Sequence, residues 1–175
     1  MRVGITGGTG VVGAAVLRHL LASGAEVVAT ARSKTAAEKV KEAGAMPAFG
    51  EVTDLAAMAE AFSGCEVVYH VAGVNEMCSP DPAEMYRVNV EGTRTVLRAC
   101  AAASVPRMVL TSSAATIGEP KGVVADENTP HRGYYLSAYE RSKHHAEKVA
   151  FAEAGDVEVV AVNPSSVQGP GRATG

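Results

Sequence analysis

The feature that most constrains the fold is a glycine-rich turn between a short apolar run and a helical segment. Residues 2–6 favour a strand, and residues 11–23 favour a helix. The spacings Gly-x-Gly-x-x-Gly and Gly-x-x-Gly-x-x-Gly both occur in the turn, which contains Gly7, Gly8, Gly10 and Gly13. Such a turn lets the backbone approach a diphosphate closely, and the helix that follows offers unpaired N–H groups. The strand–turn–helix context therefore predicts dinucleotide binding, and a purely structural turn is the less favoured interpretation.

Short β-branched runs alternate with helical segments along the chain. The predicted strands are 2–6, 26–31, 46–49, 66–71, 107–111 and 157–162. The predicted helices are 11–23, 33–43, 54–62, 83–103 and 136–154. Several strands are apolar on both faces, which is typical of parallel sheets covered by helices on both sides. We therefore predict one α/β domain over residues 1–175, a doubly wound parallel sheet with the Rossmann fold.

The composition argues against several classes of function. The net charge is −3 with dispersed lysine and arginine, so nothing favours nucleic acid or an anionic membrane as a partner. Apolar runs are shorter than the ~20 residues of a membrane span. Three separated cysteines form no evident disulfide framework, so a cytoplasmic location is expected. Cys78, after the fourth strand, is interpreted as a small loop residue rather than an activated thiol.

No metal site is predicted from the histidines. His144 and His145 are adjacent in a predicted helix, where neighbouring side chains diverge by about 100°. The other three histidines are scattered along the sequence.

The end of the second strand bears on the choice of nicotinamide cofactor. NAD-binding domains of this type place a carboxylate there to accept from the ribose 2′-hydroxyl. This chain has Arg32, followed by Ser33 and Lys34, and no carboxylate. A guanidinium can pair bidentately with a 2′-phosphate, with either neighbour assisting. NADP(H) is therefore predicted as the preferred cofactor and NAD(H) as possible. The alternative is that Arg32 is a solvated residue at a strand end.

A tyrosine and a lysine four residues apart suggest acid–base chemistry. Tyr139 and Lys143 share one face of a predicted helix. A tyrosine hydroxyl with a pKa near 10 is a poor proton donor or acceptor at neutral pH, and a nearby ammonium should lower that pKa. Ser112 and Ser113 follow the fifth strand, where a hydroxyl can hold the reacting oxygen. Without those hydroxyls, a solvated helical pair would be the preferred interpretation.

Asn89 adds a further candidate. It lies in the predicted helix 83–103 within an apolar or small stripe formed by Met85, Asn89, Gly92, Val96 and Ala99. A buried amide without partners costs about 1–3 kcal/mol, so hydrogen bonds are expected there. Gly92 indicates close packing at that point, because glycine costs about 1 kcal/mol of helix propensity. A satisfied core asparagine is the alternative interpretation.

The chain resembles the extended short-chain dehydrogenase/reductases, a group that contains nucleotide-sugar epimerases and dihydroflavonol reductases. The matching segments occur in the family's order and cover essentially the whole chain. They are residues 6–13, 52–55, 70–73, 89–93, 110–114, 139–143 and 162–164.

The resemblance implies a role for each matching position. Tyr139 would be the acid/base, Ser113 the active-site serine, and Asn89 a support for the lysine through a water relay. Lys143 would also hold the nicotinamide ribose, and Arg32 the 2′-phosphate. Asp54 and Leu55 would flank the adenine. The full predicted cofactor set is Gly7, Thr9, Gly10, Val11, Val12, Gly13, Arg32, Asp54, Leu55, Val71, Ala72, Gly73, Tyr139, Lys143 and Pro164.

The resemblance favours interconversion of a carbonyl and an alcohol on a small molecule by hydride transfer. A nucleotide-sugar epimerase or dehydratase using NAD is one alternative, and a non-catalytic NADP(H)-binding redox sensor is another. Relatives dimerise through the helices matching 83–103 and 136–154, so a homodimer is expected. Relatives also run to roughly twice this length, and we expect their carboxyl-terminal substrate region to be absent here.

Overall fold

The computed structural model describes residues 1–76 and 80–169, so Cys78 and the segment 170–175 lie outside the described residues. Six parallel strands form one sheet in the order β3-β2-β1-β4-β5-β6. The strands are β1 (Arg2–Thr6), β2 (Glu26–Ala31), β3 (Met46–Phe49), β4 (Val67–His70), β5 (Arg107–Thr111) and β6 (Glu158–Val162). The order reverses between β1 and β4, where doubly wound sheets bind their ligands. The predicted fold class is confirmed, with β4 and β6 slightly shorter than expected.

The helices follow the predicted segments, and several residues predicted to be helical at their ends prove to be caps. They are α1 (Val11–Ala22), α2 (Lys34–Glu42), α3 (Leu55–Ala61), α4 (Pro82–Tyr86), α5 (Gly92–Ala102) and α6 (Ala138–Ala152). Ser33, Asp54 and Ser137 each accept a hydrogen bond from the first turn of the helix that follows. These side chains occupy backbone donors that the helix leaves unpaired.

The predicted single helix 83–103 is interrupted by a π turn over Arg87–Glu91. The Gly92 amide bonds to the Arg87 carbonyl, five residues back, instead of four. The predicted buried stripe is confirmed on both sides of this turn, since Met85, Asn89 and Val96 are all 2% exposed or less. A Cβ at Gly92 would lie 2.8 Å from a Val52 methyl, which confirms the close packing expected there.

Two apolar layers cover the sheet, one on each face. Successive strand residues alternate between the layers, because neighbouring side chains of a strand point to opposite faces. Val27 packs with Leu17 and Val40 from α1 and α2. Val28 packs on the other face with Met58 from α3 and with Val96 from α5. Helices on both faces thus leave the carboxyl edge of the sheet as the place where the strand-end loops gather.

Candidate active site

The glycine-rich turn is held so tightly that two of its glycines are sterically required. Gly7 has φ +73°, and a Cβ there would lie 2.6 Å from the Ala72 amide nitrogen. A Cβ on Gly13 would lie 2.0 Å from the Gly7 carbonyl oxygen. At Gly8 and Gly10 the nearest atom to an added Cβ is at 3.5 Å, an ordinary contact. Of the two sequence spacings, the one beginning at Gly7 therefore contains both close approaches.

The amino terminus of α1 is open toward solvent. No side chain caps the helix at Gly10, and its first turn contains no acidic residue. Thr9, Gly10 and Val11 are exposed, and Val12 is half-buried. The amides of this turn and the positive end of the helix dipole suit an anion such as a diphosphate.

The ends of β2 and β3 carry the residues predicted to contact the adenosine part of a cofactor. Arg32 is exposed, and its charge contributes to lowering the pKa of the Glu84 carboxyl, after the larger effect of Arg87. The Ser33 oxygen already accepts from the first turn of α2 at 3.2 Å. Asp54 caps α3 in the same way at 3.1 Å, and Leu55 is 46% exposed.

The segment after β4 lies between the glycine-rich turn and the predicted catalytic residues. The amides of Val71 and Ala72 donate to the Thr6 hydroxyl oxygen at 3.2 and 3.1 Å. A Cβ on Gly73 would lie 3.1 Å from the Asn89 Oδ1 atom and 4.0 Å from the Lys143 ammonium nitrogen. Gly73 thus joins the predicted cofactor surface to the predicted catalytic residues.

Asn89 is buried with its side-chain amide fully used. Its Oδ1 accepts from the Val74 amide at 2.7 Å, and its Nδ2 donates to the Val74 carbonyl at 3.0 Å. The same nitrogen donates to the Ser142 hydroxyl at 2.9 Å, and Ser142 in turn donates to the Tyr139 carbonyl at 2.7 Å. Asn89 thereby ties the segment after β4 to the first turn of α6.

Tyr139 lies in the first turn of α6, half-buried and close enough to the Ser113 hydroxyl for that group to affect its pKa. Burial raises the pKa of the Tyr139 phenol, and the Ser113 hydroxyl opposes this by favouring the phenolate. Of the two serines, Ser113 is the one that acts on the tyrosine, and its catalytic role stays a prediction. The Ser112 hydroxyl is buried and has no hydrogen-bond partner among the described residues.

Lys143 projects from α6 into the interior and is 7% exposed. Its ammonium donates to the Thr111 carbonyl at the end of β5, at 2.8 Å. Burial lowers the pKa of Lys143 to about 8, and the Glu147 carboxylate opposes that effect. The expectation that Lys143 lowers the pKa of Tyr139 is wrong for this arrangement, because the ammonium is directed at a backbone carbonyl and burial dominates at the phenol.

A second polar network behind Ser113 was not singled out from the sequence. Asn163 Nδ2 donates to the Ser113 carbonyl at 3.1 Å and to the Glu147 carboxylate at 2.9 Å. The Thr116 hydroxyl oxygen lies 2.9 and 3.1 Å from the same two acceptors. The Pro164 carbonyl accepts from the Ala114 amide at 3.0 Å. Glu147 lies four residues after Lys143, on the same face of α6. This spacing is the sequence signal that could have identified it.

The histidines of α6 share a tyrosine. The Tyr135 hydroxyl lies 2.8 Å from His144 Nδ1 and 3.2 Å from His145 Nε2. His131, distant in sequence, stacks on His144 with ring centroids 4.2 Å apart. Within residues 1–76 and 80–169, no group of three histidine, cysteine or carboxylate side chains is arranged to hold a metal ion. No helix in the same ranges is long and apolar enough to cross a membrane.

A turn shaped for a diphosphate and a Ser–Tyr–Lys–Asn group thus meet at one edge of a Rossmann sheet. A sequence profile of the NAD dependent epimerase/dehydratase family matches residues 3–175. The chain belongs to this family. The match agrees with the resemblance inferred from the sequence segments.

Relatives of this family member include reductases. A ketoreductase of Stigmatella aurantiaca, named for 4-hydroxy-2-methyl-3-oxo-4-farnesyl-3,4-dihydroquinoline-1-oxide, is 34% identical over 97% of this chain and 51% of its own length. An anthocyanidin reductase of Vitis vinifera is 34% identical over 94% of this chain and 55% of its own. The chain spans about half the length of these relatives.

An epimerase is similar in structure. UDP-glucose 4-epimerase from Bifidobacterium longum, solved with NAD⁺ and UDP, superposes with a TM-score of 0.79. It is 26% identical, and the match covers 93% of this chain and 52% of that one.

Proposed function

We propose that residues 1–175 bind NADP(H) and carry the catalytic residues of an oxidoreductase that interconverts a carbonyl and an alcohol on a small molecule. The observation that carries the proposal is the proximity of the Ser113 hydroxyl to the Tyr139 phenol. This pair lies at the carboxyl edge of the sheet, beside a buried Lys143 and the Asn89–Gly73 contact. Two neighbouring hydroxyls can hold one substrate oxygen while one of them transfers its proton.

The described residues fit a nicotinamide dinucleotide. The uncapped start of α1, from Gly10 to Gly13, would hold the diphosphate, and Arg32 would hold the 2′-phosphate. No carboxylate follows β2 to repel that phosphate. When bound, the nicotinamide supplies or accepts a hydride. The remaining contacts would come from Thr9, Val11, Val12, Asp54, Leu55, Val71, Ala72, Gly73, Tyr139, Lys143 and Pro164.

In the reducing direction, Tyr139 would donate its phenolic proton to the substrate oxygen as the carbonyl carbon accepts a hydride. The Ser113 hydroxyl would hydrogen-bond the same oxygen and orient it. The buried Lys143 ammonium would hold the nicotinamide ribose and so help to position the ring beside Tyr139. Asn89 would keep Gly73 and α6 in register, because its amide bonds to Val74 and Ser142.

Replacing Arg32 with alanine should weaken NADPH binding about 10- to 100-fold and leave NADH affinity within about twofold. The physical reason is the loss of charge-assisted hydrogen bonds to the 2′-phosphate, which NADH lacks. Titration of nucleotide fluorescence with the purified protein measures both affinities. Arg18→Ala removes an equally exposed positive charge from α1 and is the matched control. Stronger binding of NADH than of NADPH by the unmodified chain would overturn the cofactor assignment.

Two alanine substitutions in the glycine-rich turn should separate folding from nucleotide binding. Gly13→Ala should lower the free energy of unfolding by about 3 kcal/mol or more, because its Cβ would lie 2.0 Å from the Gly7 carbonyl oxygen. Gly10→Ala should change it by less than about 0.5 kcal/mol, since φ is −80° and no atom is closer than 3.5 Å. Gly10→Ala should nevertheless weaken NADPH binding, because a methyl group would keep the diphosphate from the backbone. Urea unfolding and nucleotide titration together test both expectations, and unchanged NADPH affinity in Gly10→Ala would count against the diphosphate site.

An epimerase or dehydratase using NAD is the second candidate. The similarity to UDP-glucose 4-epimerase favours it, because the same Ser113, Tyr139 and Lys143 would serve a hydride that leaves and returns. If the fluorescence titration shows stronger binding of NADH than of NADPH, the epimerase or dehydratase becomes the preferred assignment. The third candidate, a redox sensor that binds NADP(H) without turnover, is tested by the Tyr139 variant in the Discussion.

We also propose that the protein is a cytoplasmic homodimer. The helices expected to pair are α4–α5 and α6, which carry the predicted segments 83–103 and 136–154.

The substrate would be contacted largely by a region corresponding to the second half of the relatives.

A further inference from the structure

A continuous chain of hydrogen bonds crosses the interior from the glycine-rich turn to the π turn, and the His70 imidazole lies at its centre. The Thr6 hydroxyl is 2.7 Å from His70 Nδ1, and the Thr93 hydroxyl is 3.1 Å from His70 Nε2. Thr93 also donates to the Asn89 carbonyl at 2.6 Å. All four residues are buried to 2% exposure or less. Water therefore does not compete for these hydrogen bonds.

Counting donors fixes the direction of every bond in this chain. The Asn89 carbonyl can only accept, so the single hydroxyl proton of Thr93 is used there. The contact between Thr93 and His70 must then be donated by Nε2–H of the imidazole. A neutral His70 has no proton on Nδ1, so it accepts there from the Thr6 hydroxyl. The structure thus assigns one tautomer to His70.

Protonation of His70 would break this pattern. A proton on Nδ1 would point at the Thr6 oxygen, which already accepts from the amides of Val71 and Ala72. The hydroxyl proton of Thr6 would lose its acceptor. Burial, with a smaller contribution from the nearby Lys143 ammonium, lowers the pKa of His70 to about 3. The imidazole therefore stays neutral at neutral pH, with both nitrogens engaged.

The two ends of the chain lie in different parts of the proposed site. At one end, Thr6 precedes the turn at Gly7 and holds the Val71 and Ala72 amides. At the other end, the backbone carbonyl of Asn89 belongs to the π turn. The side-chain amide of the same residue bonds to Val74 and Ser142. If either end of the chain is displaced, His70 must move with it or a buried hydrogen bond must break.

We propose that His70 is a positioning residue that couples the dinucleotide-binding turn to Asn89 through Thr6 and Thr93. The proposal rests on the proposed function for its consequence, the coupling of nucleotide binding to the catalytic residues. The chain of hydrogen bonds itself is independent of that function. Both partners of the His70 ring, Thr6 and Thr93, contribute a hydroxyl, so each hydroxyl can be removed by a near-isosteric substitution to valine.

Thr93→Val removes the hydroxyl and leaves both His70 Nε2–H and the Asn89 carbonyl without that partner. Thr93 is not among the residues predicted to contact the cofactor. This variant should nevertheless bind NADPH at least about fivefold more weakly. Thr93→Ser keeps the hydroxyl and should bind within about twofold of the unmodified chain. Val105→Ala destabilises the fold at the other edge of the sheet, where Val105 is buried, and should also leave NADPH affinity unchanged. Equal NADPH affinity in Thr93→Val and Thr93→Ser would overturn the coupling.

Two NMR measurements decide the matter without a nucleotide. Imidazole ¹⁵N shifts should show the Nε2–H tautomer of His70 with no titration between about pH 8 and about pH 5. Amide exchange at Val71 and Ala72 should be faster in Thr93→Val than in Thr93→Ser. An Nδ1–H tautomer, an ordinary titration, or equal exchange in the two variants would each overturn the proposal. If the unmodified chain binds neither NADPH nor NADH, the proposed function has failed, while these shifts and exchange rates still decide for or against His70.

Discussion

Tyr139→Phe should lower the rate of NADPH-dependent carbonyl reduction about a thousandfold, because a positioned general acid contributes about 10²- to 10⁴-fold. The free energy of unfolding and the NADPH affinity should change little. The phenol hydroxyl lies near Ser113 but takes part in no buried network of the described residues, and phenylalanine retains the ring. The measurement is NADPH oxidation with a panel of ketones and aldehydes, beside thermal unfolding and nucleotide titration.

Tyr135→Phe is the matched control for this experiment. Its hydroxyl contacts His144 and His145 on the same helix, so it also loses a part-buried hydroxyl. This control should retain turnover within a few-fold, since its hydroxyl is not in the proposed site. If an unmodified chain that binds NADPH turns over none of the carbonyl compounds, the redox-sensor candidate gains support. If Tyr139→Phe keeps full turnover, the acid/base assignment is wrong.

Lys143→Met should abolish turnover and, at neutral pH, stabilise the fold. Burial lowers the pKa of this lysine from 10.5 to about 8, and a shift of that size corresponds to roughly 3 kcal/mol of destabilisation of the charged form. The variant loses the hydrogen bond to the Thr111 carbonyl, worth about 1 kcal/mol. A net gain of about 1–2 kcal/mol should raise the melting temperature by about 3–6 °C.

The pH dependence of this difference has a definite sign. The folded state binds the lysine proton less tightly than the unfolded state, so the destabilisation is fully present below about pH 8. It is relieved as the pH rises toward 10.5, because the folded chain then carries a neutral amine. The melting temperatures of the two proteins should therefore converge over that interval. Lys148→Met, at an exposed position one turn further along α6, should give no comparable gain. A gain that stays constant with pH would show that Lys143 is not destabilised by its charge.

The alternation of strands and helices was readable along the chain because it depends on local spacing. Strands β1, β2, β3 and β5 begin and end where predicted. Besides the slightly shorter β4 and β6, errors occur at helix ends, where residues such as Ser33 and Asp54 cap the helix instead of joining it. The π turn at Arg87–Glu91 was missed because one extra residue in a helical turn leaves the buried stripe almost unchanged.

The sequence was enough to name candidate site residues, but it did not predict most of their hydrogen-bond partners. Ser113 and Tyr139 come together as expected. Lys143, however, donates to the Thr111 carbonyl, a partner 32 residues away that carries no sequence signature. Asn163, after β6, donates to the Ser113 carbonyl and to the Glu147 carboxylate on α6, and neither residue was recognised from the sequence as part of this network.

Local sequence was sufficient for the fold class, the glycine-rich turn and the Tyr139–Lys143 spacing. Each depends on residues a few positions apart, whose backbone conformations and helix faces follow from steric rules. The protonation preferences and the hydrogen-bond partners were decided by tertiary packing. His70 is a neutral, single-tautomer residue only because β1 and α5 bring Thr6 and Thr93 to its two nitrogens. The pKa of a buried group depends on which charges and dipoles surround it, and segments distant in sequence supply them.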